Sequence, residues 1–172
     1  VVLVTSGPGA TNTVTAVMTA FMDSSPLVVL CGQTASPNLG LDAFQEADVS
    51  GISFPVVKHS YLVKRAVDLP HVLNEAFHLA QTGRPGPVLI DLPKDVQNAV
   101  TEFVYPEEEI VLPGYQPPRQ ANVDDLEAAK RLIEEAERPV ILAGHGILMS
   151  GATREVIEFA ETTQTPFALT LL

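Results

Sequence analysis

Leu69-Pro70-His71-Val72-Leu73-Asn74-Glu75-Ala76-Phe77-His78-Leu79-Ala80-Gln81-Thr82-Gly83 runs directly into Arg84-Pro85-Gly86-Pro87-Val88-Leu89-Ile90-Asp91-Leu92-Pro93-Lys94. The change of period between the two halves decides the fold. In the first half Val72, Leu73, Ala76, Phe77 and Ala80 recur at helical spacing, with Pro70 in the first turn and Gly83 as the stop. In the second half, residues 88–92 are apolar except for Asp91 and show no alternation, as in a strand covered on both faces. A helix feeding a doubly covered strand is the repeating unit of a parallel sheet with helices on its faces.

The same alternation extends outward. Residues 1–5 read as a first strand, followed by the turn Ser6-Gly7-Pro8-Gly9. Val14, Val17, Met18 and Phe21 then predict a helix capped by Thr11 or Asn12. Residues 27–31 predict a second buried strand. From Gly32 to Pro55 periodicity disappears, and so long a stretch reads as a functional loop. Residues 101–121 carry Pro106, Pro113, Pro117 and Pro118 with the acidic run Glu107-Glu108-Glu109, which predicts an extended interdomain linker. A second α/β unit follows. Asp124 is expected to cap a helix with Leu126, Ala129, Ile133 and Ala136 on one face, leading to a strand over 139–143. The turn Gly144-His145-Gly146 then precedes a helix over 153–163 and a strand from Pro166. The reading is therefore α/β, with a first domain over 1–100, a linker over 101–121 and the start of a second domain over 122–172. With no initiator Met and strands at both ends, both ends are expected to be truncated.

Bulk composition narrows the function classes. A formal charge of −11 supplies no basic stripe for phosphate backbones, so nucleic acid is not an expected partner. No apolar run approaches the roughly 20 residues a membrane helix needs, and no membrane association is expected. Hydrophobic residues make up 46% and charged residues 18%, apolar enough that part of the surface is expected to be covered by another chain. The single cysteine, Cys31, lies in an apolar run; it excludes an internal disulfide and fits a buried residue in a reducing, cytoplasmic compartment. No Cys/His cluster has metal-ligand spacing, so no metal ligand is assigned in this chain.

Thr5-Ser6-Gly7-Pro8-Gly9-Ala10-Thr11-Asn12 is a glycine-rich turn between strand and helix. Its spacing suits close approach of a ligand to the main chain, and equally a tight turn with a capping Asn. As a string it resembles the TSGPG(A/G)TN segment of thiamine-diphosphate enzymes. Four further strings, in order, are similar to the acetolactate synthase family: Asp23-Ser24-Ser25-Pro26 with Gly32-Gln33, Asp42-Ala43-Phe44-Gln45-Glu46, Lys58-His59-Ser60-Tyr61-Leu62-Val63, and the segment from Thr82 to Val96. The likeness spans essentially the whole chain.

What the resemblance implies is specific. The first domain would be a pyrimidine-binding domain and the second the start of a Rossmann-like FAD-binding domain. Ser24 and Gln45 would touch thiamine diphosphate, and Phe44 with Gln45 would line the substrate side, although packing alone would also explain Phe44. Lys94, just past a strand end, would steady a pyruvate carboxylate or a developing anion. Arg84, Gly144 and Gly146 would contact FAD, with His145 a solvent or turn histidine. Mg²⁺ would be held by a domain absent from this chain, as would the glutamate that activates the cofactor, so the isolated chain is expected to be inactive. The reaction implied is condensation of a pyruvate-derived unit with a second 2-oxo acid in branched-chain amino-acid biosynthesis, by a homodimer or tetramer with a possible regulatory subunit. Where the family carries a basic pair near the substrate channel, this chain has Thr34-Ala35-Ser36-Pro37-Asn38-Leu39, which opens the question of acceptor specificity. Pyruvate oxidase, glyoxylate carboligase, a 2-oxo-acid decarboxylase, or a non-catalytic α/β binding module remain as alternatives.

Overall fold

The structure, a computed structural model, describes residues 1–107, 109–118 and 120–171. Glu108 of the acidic run, Arg119 of the expected linker and Leu172 of the last expected strand lie outside the described residues. The chain divides into two compact units, Val1–Pro117 and Pro118–Leu172.

The first unit is α/β, a four-stranded parallel sheet flanked by helices. Its strands are β1 (Val2–Val4), β2 (Leu27–Gln33), β3 (His59–Leu62) and β4 (Pro87–Pro93), in the order β1-β2-β4-β3. All neighbours run parallel, and β2 pairs with β4 along its whole length, from Leu27 opposite Pro87 to Gln33 opposite Pro93. Every residue of β4 is buried. This central strand has no solvent face, which is why its sequence does not alternate.

Successive side chains of β2 and β4 divide between two cores. On one face Val28, Val88, Ile90 and Leu92 pack with Ala76, Leu79 and Ala80 of α4 (Leu69–Gln81). On the other, Val29, Cys31 and Leu89 pack with Ala10 of α1 (Pro8–Thr11), Val17 of α2 (Val14–Met22) and Val49 of α3 (Val49–Ser53). The helix α5 (Lys94–Asn98) starts directly at the end of β4.

Several local expectations need correction. The residue preceding α2 is Thr13 rather than Thr11 or Asn12; both of those close the extra turn α1, and Thr13 Oγ1 donates back to Ala10 O at 2.7 Å. Phe77 was expected inward but is 39% exposed, because the α4 face that meets the sheet is narrow and is filled by Ala76, Leu79 and Ala80. The segment 32–55 is not wholly irregular: it holds a 3-10 turn at Ser36–Asn38 and the helix α3, whose N-cap Asp48 accepts from Gly51 N at 2.8 Å. Strand β3 was not predicted, since three of its four residues are polar or partly polar and it sits at the sheet edge.

The second unit holds α6 (Val123–Glu135), β5 (Ile141–Ala143), α7 (Gly146–Ser150), α8 (Thr153–Thr163) and β6 (Phe167–Leu169), with β5 and β6 parallel. Asn122, not Asp124, caps α6: its side chain accepts from Asp124 N at 2.8 Å. The apolar positions Leu126 and Ile133 stay exposed within the chain.

Candidate active site

Parallel strands place every residue that follows a strand at one edge of the sheet, and open α/β sheets bind ligands there. At this edge lies a cleft of about 780 Å³. Thr5 and Ser6 after β1, Gln33 and Thr34 at the end of β2, and Lys94 and Gln97 of α5 line it, and Phe44 with Gln45 reach it from the long loop. Phe44, Gln45 and Lys94, separated by some fifty residues in the chain, are thus brought together. Lys94 carries the only charge among the lining residues. Phe44 is 89% exposed, so its ring is not a core residue of this chain.

The loop has a defined shape made by polar contacts. Asp42 and Gln45 sit at φ 56° and 57°, a left-handed conformation that non-glycine residues adopt only when the surroundings enforce it. The Glu46 carboxylate accepts from the backbone N–H groups of Gly40 and, at 2.9 Å, Ala43. Those bonds hold its carboxyl below the usual carboxylate range. Gly7 explains the glycine turn: at φ 55°, a side chain there would meet Gln45 O at 2.8 Å. The glycine is needed to seat Gln45, a role its spacing did not suggest.

Two carboxylates support the walls. Asp95 Oδ1 accepts from Ser36 N at 2.8 Å and Ser36 Oγ at 3.1 Å, which lowers its pKa and ties the departing segment 34–39 to the helix that carries Lys94. Asp91, 4% exposed, accepts from Gln33 Nε2 at 3.0 Å. Burial raises its pKa to about 6, against the lowering effect of the Gln33 bond. Gln33, Thr34, Gln97 and Asp91 were missed from the sequence. The polar end of an apolar strand and a lone carboxylate within one were the signals available.

Ser24 and Arg84 come together elsewhere. Arg84 Nε donates to Ser24 Oγ at 2.8 Å, and its Nη2 to Met22 O at 3.0 Å. Both residues precede their strands, β2 and β4, and so lie at the opposite edge of the sheet from the cleft. A seven-residue strand separates the two edges by roughly 20 Å at the usual rise per residue. Within this chain Ser24 thus lies beside Arg84, at the sheet edge away from Gln45. In the second unit, Gly144 follows β5 and Gly146 opens α7. A side chain at Gly146 would meet nothing within 4 Å, so the space beside it is open to a ligand. His145 is exposed and its side chain makes no cap bond. Among the described residues no group of three His, Cys, Asp or Glu side chains could hold a metal ion. Nor is any helix in them long and apolar enough to cross a membrane.

Comparison with known proteins places this geometry. Residues 1–52 match the thiamine pyrophosphate enzyme N-terminal TPP binding domain, and residues 126–172 match the thiamine pyrophosphate enzyme central domain. The chain is 51% identical, over its whole length, to the acetolactate synthase large subunit of Corynebacterium glutamicum. It is 47% identical to the acetolactate synthase isozyme 3 large subunit of Escherichia coli, again over 100% of the chain, and 46% identical over 98% to a probable acetolactate synthase large subunit of Methanocaldococcus jannaschii. It spans 27%, 30% and 29% of those three proteins. With both matched domains in order and similarity unbroken between them, the chain belongs to the thiamine pyrophosphate enzyme family, and within it resembles the acetolactate synthase large subunits.

Proposed function

We propose that this chain is part of an acetolactate synthase, which condenses a pyruvate-derived unit with a second 2-oxo acid in branched-chain amino-acid biosynthesis. The observation that carries the reading is the meeting of Phe44, Gln45 and Lys94 on one cleft in a chain similar throughout to acetolactate synthases. The cleft fits thiamine diphosphate in kind: an exposed aromatic wall, the amides of Gln45 and Gln97, and one cation.

Thiamine diphosphate, when bound, supplies the carbanion chemistry. The chain's own residues do the rest. The Phe44 ring offers an apolar wall that keeps water from the reacting face, which strengthens every charge interaction beside it. The Gln45 amide can both donate and accept, and so can orient a heteroaromatic ring or a bound oxo acid. The Lys94 ammonium pairs with a substrate carboxylate and is placed to favour negative charge that develops at a carbonyl. With Thr34, Ala35 and Asn38 on the facing wall, Lys94 is the sole cation there, so substrate carboxylate recognition rests on it.

FAD is the second proposed cofactor. In the second unit, the open space beside Gly146 supports close approach of a ligand to the main chain. In the first unit, Arg84 keeps N–H groups beyond those used on Ser24 and Met22, which suits a phosphate. Mg²⁺ would be carried by a domain absent from this chain. The name "large subunit" borne by the relatives supports a smaller regulatory partner, and the bare Phe44 ring supports a homodimer or tetramer that covers it.

The test is product analysis of the full-length protein on pyruvate. Acetolactate is expected, with a KM for pyruvate raised by roughly tenfold or more in Lys94→Met, the worth of one charge-assisted contact. Acetyl phosphate, acetaldehyde or tartronate semialdehyde in its place would assign the chain to another thiamine enzyme. Flavin absorbance is expected to co-purify with the protein and to fall in Arg84→Ala.

A further inference from the structure

Asp91 is a carboxylate in the middle of the most buried strand, where an apolar residue would pack without cost. Its Oδ1 has no hydrogen-bond partner among the described residues. Its Oδ2 accepts from Gln33 Nε2 at 3.0 Å, and the same nitrogen donates to Ala47 O at 2.9 Å. Gln33 Oε1 accepts from Thr34 N at 2.8 Å. One buried amide, 5% exposed, thus joins the central strand, the far end of the loop and the cleft wall. The amide has two possible orientations, and only one presents its nitrogen to both Asp91 and Ala47. A carboxylate, being acceptor only, selects that orientation.

We infer that Asp91 is a positioning residue for the proposed condensation, fixing through Gln33 the end of the loop that presents Phe44 and Gln45 to the cleft. The inference rests on the functional reading above. The loop cannot anchor itself by burying its aromatic residue, because Phe44 points into the open. Its left-handed residues at Asp42 and Gln45 carry strain that only fixed ends can hold. The start of the loop is tied by Ser36 to Asp95, its tip rests on Gly7, and Ala47 is where it rejoins the fold; Asp91 and Gln33 supply the bond there.

The experiment uses the full-length protein and compares Asp91→Leu with Asp91→Asn. Two quantities are read: kcat for acetolactate at saturating thiamine diphosphate, and hydrogen exchange of the amides of residues 40–48. Asp91→Leu is expected to lower kcat by about tenfold or more, in keeping with the cost of a displaced catalytic group, while exchange of 40–48 accelerates and that of β2 and β4 stays protected. Asp91→Asn, whose side-chain oxygen still accepts from Gln33, is expected to remain within about threefold of the parent in kcat. If Asp91→Leu does not fold, Gln33→Met takes its place with the same readouts, since it deletes the bond to Ala47 from the other end. Unchanged exchange of 40–48, unchanged kcat, or equal loss in the Leu and Asn variants would each overturn the inference. Failure of the underlying functional reading looks different: Phe44→Ala and Gln45→Ala would then leave product formation intact even where Asp91→Leu frees the loop.

Discussion

Lys58, just before β3, spends its charge on the end of a helix. Its Nζ donates to Leu79 O, to Thr82 O at 2.8 Å and to Tyr115 Oη at 2.9 Å, using all three ammonium donors. The first two acceptors lie at the C-terminal end of α4, where helix carbonyls lack intrahelical partners and a cation is favoured. Tyr115 Oη in turn donates to Thr82 O at 2.6 Å, so Thr82 O keeps one bond when the lysine is removed and Leu79 O loses the lysine bond outright. Lys58→Met retains the stem and deletes the charge; the bond to Leu79 O is lost in full, while Thr82 O and Tyr115 Oη lose the lysine but keep each other, so the cost should be about 2–3 kcal/mol of local stability. Tyr115→Phe removes the donor to Thr82 O and the oxygen that accepts from Lys58 Nζ and from Thr82 Oγ1, and should cost about 1–2 kcal/mol. The assay is native-state hydrogen exchange at Thr82 and Gly86, whose amides donate to His78 O and Ala80 O at the same helix end. A 2 kcal/mol loss appears there as exchange faster by roughly thirtyfold, without requiring the whole protein to unfold in one step. Because Lys58 and Tyr115 share an acceptor, the double variant should cost less than the sum of the two. Strict additivity, or a Lys58→Met effect below about 0.5 kcal/mol, would refute the clip as the element that closes α4.

Three further outcomes follow from the same geometry. Gly7→Ala forces a side chain against Gln45 O at φ 55° and should cost about 1–3 kcal/mol while raising hydrogen exchange across residues 40–46; a neutral effect on both would show that Gly7 does not seat the loop. Burial first, and then the nearby Asp91, push the Cys31 thiol up to about 12, so iodoacetamide at pH 8 should modify it only under unfolding conditions, as mass spectrometry can report. Asp91, lifted by burial from 3.8 to about 6, favours the folded state when protonated, so its contribution is fully present below pH 3.8 and is lost as pH rises to about 6. The stability of the parent relative to Asp91→Asn should therefore fall by roughly 3 kcal/mol across that window, and a flat difference in urea midpoints would contradict it.

What was legible in the sequence, and what was not, divides along physical lines. Residues 88–92 announced the central strand because burial on two faces leaves no alternation, and Pro70 and Gly83 bounded α4 because Pro suits a first turn and Gly, here at φ 59°, suits a helix exit. The cleft residues Phe44, Gln45 and Lys94 were legible through ordered strings of residues, not through periodicity. Edge strand β3 was hidden because four residues with polar members carry almost no periodic signal. Helix α3 was hidden because five residues are too few to show a helical face; its cap at Asp48, three positions before Gly51, was the only cue. The sheet edge that Ser24 occupies was hidden for a different reason. A short string shows that residues are neighbours in the chain but not which end of a parallel strand they occupy, and Ser24 stands before β2 where Gln33 stands after it.

That distinction between the two sheet edges explains how the strand interiors and the loop divide their work. The interiors, Val29 and Leu89 on one face and Val28 and Ile90 on the other, are held by burial that tolerates no motion and offers no chemistry. The loop that reaches the cleft has the opposite constraint: its aromatic residue must stay bare to meet a ligand, so apolar burial cannot hold it. Apart from the seat of Gln45 on Gly7, hydrogen bonds therefore fix it, with Asp95 on Ser36, Glu46 on Gly40 and Ala43, and Gln33 on Ala47. Each anchor is a carboxylate or an amide oriented by one, and carboxylates satisfied by backbone N–H groups are strong only while ionised. A chain with 21 acidic residues against 10 basic ones spends part of that surplus on holding open a surface that hydrophobic burial would have closed.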